Sequence, residues 1–429
     1  MREAPADAVR TATSPLGWKR VRLKHLGRLK AGAGFPDAAQ GSQGEALPFF
    51  KVKHLAAANA ARWLVHSEDT VSRETAAQLG AFVFPSDTIV LAKVGAALLL
   101  NRFRLLSQES CIDNNLMGFV LDSELADTRF MLHRLSLIDF AQVANPGAVP
   151  SLNAEQVAEQ DIVIPPLPAQ RIIADYLDRE TARLDALVAA KERVLGLLAE
   201  KRRALISRTI TRGLDPRASL RDSSIPWLGK IPSHWKTERS RWLFRERDER
   251  SVTGEEEMLT VSHLTGVTPR SEKDVNMFEA ETNEGYKICC AGDLAINTLW
   301  AWMGAMGVAS VNGIVSPAYH VYQPGPLLEP TYIDALVRMP VFAQEVTRYS
   351  KGVWSSRLRL YPEGFFEVFL PVPPIKEQRA IVAHLAKETD KLDALCSATE
   401  RTILLLKERR TALIAAAVTG KNNVVEANA

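Results

Sequence analysis

The sequence predicts an α+β fold: two globular mixed α/β domains separated by two long helices that form an antiparallel coiled coil, with pseudo-twofold symmetry. Three observations predict it. First, "VIPPLPAQRIIADYLDRETARLDAL" from Val163 is written again as "PVPPIKEQRAIVAHLAKETDKLDAL" from Pro371; Asp185 aligns with Asp393, 208 residues on, and the register holds without a gap from Val163 to Thr211. A spacing of that size marks a duplicated domain and not a solenoid, whose repeats run ~20 to 50 residues. Second, each copy carries apolar residues at helical spacing for some forty residues. Third, the stretches before each copy are short β-branched or apolar runs broken by Gly, Asp, Asn and Pro, the texture of mixed strand-and-loop domains.

In chain order, residues 1–14 read as an N-terminal extension without the apolar region of an export signal. Residues 15–164 read as the first globular domain, with strand-like runs such as "AFVFPSDTIVLAKVG" from Ala81 and "CIDNNLMGFVLD" from Cys111. Residues 165–213 read as the first spacer helix. Pro168 suits its first turn, and Gly213 with Pro216 beyond stops it. Seven-residue steps place Leu177, Leu184, Lys191, Leu198 and Leu205 in one column and Ile173, Glu180, Leu187 and Val194 in the other. At 1.5 Å per residue such a helix is a rod of roughly 60 Å, and its apolar stripe needs a partner.

Residues 214–226, with "RGLDPRASLRDSSIPW" running from Arg212 to Trp227, carry the Pro, Ser and Asp of an exposed linker. Residues 227–372 read as the second globular domain, which includes "YKICCAGDLAINTLWAWMG" from Tyr286. Residues 373–420 read as the second spacer helix, ending near Gly420; its columns are Leu385, Leu392, Thr399, Leu406, Leu413 and Ile381, Glu388, Leu395, Thr402. Residues 421–429 remain as a tail. The expected helix–helix packing set is therefore Ile173, Leu177, Leu184, Leu187, Leu198, Leu205, Ile381, Leu385, Leu392, Leu395, Leu406 and Leu413. Outside the helices the halves echo weakly, as in "GWK" at Gly17 against "HWK" at His234 and "KVKHL" at Lys51 against "TVSHL" at Thr260.

Composition constrains the chemistry. The 429 residues hold 53 Lys and Arg against 50 Asp and Glu, a net charge of +3, so any affinity for nucleic acid must be local. Cys111, Cys289, Cys290 and Cys396 lack Cys-x-x-Cys spacing and read as reduced thiols of a cytoplasmic protein, which makes a zinc site or disulfide framework unexpected. No stretch is long and apolar enough to predict a membrane span. No metal site or cofactor of the chain's own is expected: phosphate loop, dinucleotide fingerprint, serine elbow, His-Glu-x-x-His and Glu-x-Lys are all missing. No catalytic residues are expected either.

The DNA-binding candidates lie in loop-like stretches that combine basic, amide and aromatic side chains: Lys93, Asn101, Arg102, Arg104, Asn114 and Asn115 in the first half, and Asn297, Trp300, Trp302, Lys351, Arg357 and Arg359 in the second. Arg and Lys neutralise phosphates or pair with guanine, and Asn pairs with adenine. The other reading is a coiled-coil scaffold that joins protein partners without reading DNA; it leaves these loops unexplained.

The duplicated "IPPLPAQR…LDAL" and "VPPIKEQR…LDAL", "IPWLGKIPSHWK" from Ile225, "GDLAINTLWAWMGAMG" from Gly292, "IVSPAYHVY" from Ile314 and "SSRLRLYPEGF" from Ser355 together resemble the specificity subunits of type I restriction-modification systems. The resemblance runs from about Ser14 through nearly the whole chain. The first copy has Pro168 and Ala169 where the family more often has an acidic residue before Gln170; the second keeps Glu377 before Gln378. The resemblance implies that each globular domain is a target recognition domain for half of a bipartite asymmetric DNA site. It implies that the helices space the domains and dock two methyltransferase subunits, with restriction translocase-nuclease subunits joining. The chain would catalyse nothing, with S-adenosylmethionine, ATP and magnesium held by its partners.

Overall fold

The structure, a computed structural model, describes residues 17–37, 40–56, 62–272, 282–352 and 358–422. The chain forms two compact units: Met1–Glu192 with Arg401–Ala429, and Arg193–Glu400. Both are mixed α/β domains joined by the long helices Leu167–Arg212 and Ile375–Val418, so each unit holds one half of each helix.

In the first unit, five strands form a sheet in the order Gly27–Ala31, Leu116–Leu121, Ile89–Ala92, Phe103–Leu106, Trp63–Leu64, antiparallel except for the last pair. Phe119, Ile89 and Leu105 on this sheet are buried with Phe130 and Met131 of the helix Thr128–Leu135. That helix begins at Asp127, whose side chain accepts from the Phe130 amide as an N-cap. The first strand, Lys19–Arg22, pairs antiparallel with Asp161–Ile164, the last strand before the long helix. In the second unit the sheet order is Phe244–Arg247, His320–Pro324, Leu294–Ile296, Met306–Val308, all antiparallel. Here too the entry strand, Lys236–Arg239, pairs with the strand leading into the long helix, Phe369–Val372. The two units therefore repeat one plan, and the first adds a fifth strand to its sheet.

A buried glutamine fixes each long helix to its own domain. Gln170, 1% exposed, accepts from the Asp127 amide at 2.9 Å and donates to the carbonyls of Pro165 (2.9 Å) and Leu125 (3.3 Å). Gln378, 0% exposed, accepts from the Glu329 amide at 2.8 Å and donates to Pro373 and Leu327, both at 2.8 Å. An amide side chain suits each site, which offers one backbone donor and two backbone carbonyls, because only Asn and Gln combine an acceptor oxygen with two N–H donors on one group. The departure before Gln170 also has a counterpart. In the second unit His234 Nε2 lies 2.8 Å from Glu377; the aligned residues of the first unit are Gly17 and Ala169, so both members of the pair are missing together.

Each unit pairs its helix halves antiparallel. In the first, Ile173, Ala174 and Leu177 share one core with Ile414, Ala417 and Val418, and Arg410 donates to Asp185 at 2.8 Å. In the second, Ile210 shares a core with Ile381 and Leu385, Arg202 pairs with Asp393, and the Tyr332 hydroxyl donates to the Ile210 carbonyl at 3.1 Å. Gly213 and Gly420 close the helices with φ of +71° and +73°, the left-handed conformation that relieves the last carbonyls.

The seven-residue reading needs correction along these helices. Leu187 is 42% and Leu395 53% exposed, so neither closes the seam. Ile173, Leu177, Leu184, Ile381, Leu385 and Leu392 are buried; Leu198, Leu205, Leu406 and Leu413 are half-buried. The buried stripe instead steps by eleven, through Ile381, Leu392, Ile403 and Ile414 and, in the other copy, Ile173 and Leu184 followed by half-buried Leu195 and Ile206. Eleven residues in three turns is ~3.67 per turn, nearer the 3.6 of a straight helix than the 3.5 of a heptad, which drifts ~20° per repeat. After two heptads the column of Ile173 has turned away, and Leu187 meets solvent.

The stretch expected to be a linker contributes the strand Leu220–Asp222, paired with Lys230–Pro232, because Ile225 and Leu228 just beyond it are buried in the second unit's core.

Candidate nucleic-acid interface

In each unit the third strand of the main sheet and its antiparallel neighbour form a hairpin whose tip is a single helical turn. In the first unit Ile89–Ala92 and Phe103–Leu106 flank the turn Ala96–Leu99; in the second Leu294–Ile296 and Met306–Val308 flank Ala301–Met303. Both turns exit through a left-handed residue, Asn101 at φ +47° and Gly304 at φ +88°.

The first tip gathers five of the candidates, Lys93, Asn101, Arg102, Asn114 and Asn115, with Arg104 on the strand that follows. The Lys93 amide donates to the Asn115 carbonyl at 2.9 Å, which sets Lys93 beside exposed Asn114 and Asn115. Asn115 is held by its own amide, which donates to Asp113 Oδ1 at 2.8 Å, the short-range turn that Asp favours. Burial raises the Asp113 carboxyl above its usual range, against the lowering effect of the amides that bond it. Gly95 and Leu152 complete the base of the tip, through bonds to the carbonyls of Pro150 (2.9 Å) and Lys93 (2.7 Å). Asn101 serves the fold: its side-chain amide donates to the carbonyls of Ile138 (2.8 Å) and Ser136 (3.3 Å). Arg102 is half-buried beside it. Arg104, on the strand, donates to the Phe103 carbonyl at 2.7 Å, and burial followed by the charge of Arg102 lowers its guanidinium pKa.

The second tip gathers five. Asn297, 6% exposed, donates to the Tyr319 hydroxyl at 2.9 Å and accepts from the Leu299 amide at 3.2 Å, so it shapes the turn. Trp300, 49% exposed, lies roughly parallel to Trp302, with ring centroids 6.5 Å apart and an interplanar angle of 17°. The Trp302 indole donates to the Leu299 carbonyl at 3.1 Å. Exposed Lys351 and Arg359 exchange two backbone bonds of 2.9 Å, and the next residue, Leu360, donates to the Thr298 carbonyl at 3.2 Å, which brings that basic pair to the base of the tip. Arg357 lies outside the described residues.

Two groups escaped sequence reasoning. Leu99, Leu100, Leu299 and Met303 are the apolar exposed face of the tips, 54%, 56%, 38% and 37% exposed; as leucines and methionine in apolar runs they look like core. Arg62, at φ +60° beside the fifth strand, has its guanidinium pushed down to about 10 by burial and by the nearby charges of Arg410 and Arg104. Its sequence surroundings give no signal of that.

Cys289 is buried, which pushes its thiol up to about 12 and makes it a poor nucleophile. Among the described residues no group of three or more His, Cys, Asp or Glu is placed to hold a metal ion, and no helix is long and apolar enough to cross a membrane.

Comparison with known proteins agrees with this architecture. The type I restriction modification DNA specificity domain matches residues 15–195. The specificity subunit of the type I restriction enzyme EcoBI from Escherichia coli is 21% identical over 419 residues, covering 90% of this chain and 81% of that protein. Two solved structures share the fold. One is a chain from a structural study of complex assembly and conformational transition in a type I R-M system, with TM-score 0.63 and 18% identity, covering 95% of this chain and 98% of that one. The other is the HsdS subunit from Thermoanaerobacter tengcongensis, with TM-score 0.57 and 16% identity, covering 96% and 99%. Residues 15–195 thus match the type I restriction modification DNA specificity domain, and over most of its length the chain is similar to the specificity subunit of a type I restriction enzyme.

Proposed function

We propose that the chain reads a bipartite, asymmetric sequence in double-stranded DNA, one half with each hairpin tip and its surroundings, and docks two methyltransferase subunits and the restriction subunits of its complex. The observation that carries this reading is one domain plan used twice with different side chains at the same tip: Lys93, Asn114 and Asn115 in one unit, and Trp300, Trp302, Lys351 and Arg359 in the other. Like scaffolds with unlike tips suit a site whose two halves differ. The two helices of 46 and 44 residues that join the units would set the unread spacer between the half-sites. The small net charge is compatible with DNA binding if partner subunits supply much of the phosphate contact. S-adenosylmethionine, ATP and magnesium are assigned to those partners.

The test is to express the chain with its methyltransferase subunit and sequence the methylated DNA. A two-part asymmetric motif, with no methylation by either protein alone, is expected. Methylation by the isolated chain, or a motif unchanged when the chain is omitted, would refute the proposal.

A further inference from the structure

The hairpin tips carry apolar surface that the DNA-reading proposal does not yet use. Rigid, exposed and apolar is an uncommon combination, since a fold normally turns such side chains inward. In the first unit Leu99 and Leu100 each expose more than half of their surface; in the second, Leu299, Trp300 and Met303 do so in part. These residues occupy the same place in both units, the helical turn between the third strand and its hairpin partner. They are also held in place. Asn101 ties the first turn to the Ser136 and Ile138 carbonyls. In the second, Asn297 bonds the Leu299 amide and Trp302 bonds the Leu299 carbonyl, so Trp300 stands on a fixed base.

The surroundings select the occupant. From Lys93 to Arg104 and from Leu294 to Ala309 the tips contain no Asp or Glu. Basic side chains flank them, Lys93 and Arg102 in one unit and Lys351 and Arg359 in the other, and none of these four makes an ion pair among the described residues. An apolar knob inside a ring of unpaired cations matches a polyanion with an apolar interior. Duplex DNA has that character, with phosphates outside and stacked bases within. Apolar side chains driven between base steps unstack them and bend the duplex, and aromatic rings stack on exposed bases.

Resting on the DNA-reading proposal, we infer that the two tips are wedges, Leu99 and Leu100 in one unit and Leu299 and Trp300 in the other, which enter a base step at each half-site and bend the DNA there.

The experiment uses the full chain with its methyltransferase and a duplex carrying the motif found by sequencing methylated DNA, with fluorophores at its ends to report bending by energy transfer. The intact complex is expected to bend the duplex. Trp300→Ala should lose the bend at its half-site and bind about 5- to 150-fold more weakly, the range of one lost base-stacking contact, whereas Trp300→Phe keeps most of both. Leu99→Ala with Leu100→Ala should act in the same way on the other half-site. An unchanged bend and affinity in Trp300→Ala overturns the wedge while leaving the DNA reading intact. So does loss of the co-purified methyltransferase with DNA bending retained in the remaining complex, which would make the tip a protein contact. Failure of the intact complex to bind any duplex overturns the DNA reading and the wedge with it.

Discussion

Replacing Gln170 by Ala removes one acceptor and two donated hydrogen bonds at a site 1% exposed. The Asp127 amide and the Pro165 carbonyl are left without that partner, and the bond to Leu125 is the longest and weakest of the three at 3.3 Å. Each stranded buried group costs about 1–3 kcal/mol, and partial relaxation or a water entering the space lowers the total, so the loss should be about 2–4 kcal/mol. For a unit of this size that lowers its Tm by roughly 4–16 °C. Gln378→Ala removes the same three kinds of bond at 2.8 Å and should cost at least as much. Because the partner sets are disjoint, the double variant should show the sum of the two losses to within about 0.5 kcal/mol. Urea unfolding followed by circular dichroism and tryptophan fluorescence measures this; Trp18 and Trp63 lie in the first unit, and Trp227, Trp235, Trp242, Trp300 and Trp302 in the second. A loss under about 0.5 kcal/mol for either single variant, the range of ordinary surface changes, would refute the role given to these glutamines.

Four further outcomes are expected. Leu392→Ala should cost about 2–5 kcal/mol as a buried large-to-small change, whereas half-exposed Leu395→Ala, three residues on, should cost well under half as much; the reverse order in urea titrations would restore the seven-residue seam. Asp293→Ala removes the carboxylate to which Arg247 donates at 2.7 Å and the Cys290 amide at 2.8 Å, leaving Arg247 its exposed partner Glu249, and should lower unfolding free energy by about 2–4 kcal/mol; a loss below 1 kcal/mol on that scale would show the pair to be solvent-screened. Burial holds the His133 imidazole below its ordinary 6.5, so the unfolded chain takes up this proton first; its contribution is full above 6.5, declines as pH falls below that value, and should be flattened in His133→Gln when stability is measured against pH. Exchanging residues 15–160 for those of a family member with another target should change one half of the methylated motif only; alteration of both halves would refute modular reading.

Much of the architecture is legible in the sequence because duplication writes it twice. Gly213 and Gly420 stop the helices where their left-handed φ is needed, and the repeated Gln before Arg marks the residue that fastens each helix to its domain, although its partners can be named only from the fold. What sequence reasoning could not resolve is rotation about the helix axis. Ile173, Leu184 and Leu187 fit a seven-residue lattice as well as an eleven-residue one, and only packing separates them. The tip residues show a similar limit. Asn101 and Asn297 belong to the expected residue types for base reading, yet their side chains hold up the tips through partners 22 to 37 residues away, pairings that depend on tertiary structure. Apolar Leu99 and Leu100 raise no sequence signal because exposure is not written in residue type.

The division of the long helices between the units carries a consequence for synthesis. Residues 193–400 form a continuous unit, whereas the first unit needs residues 401–429 to complete the core that Ile414, Ala417 and Val418 share with Ile173 and Leu177. On a ribosome adding ~5–20 residues per second, the intervening 208 residues delay that closure by roughly 10–40 s. During that time the first-made domain waits with an apolar seam uncovered, so a frameshift or proteolytic cut close to the carboxyl end damages the domain at the opposite end of the message.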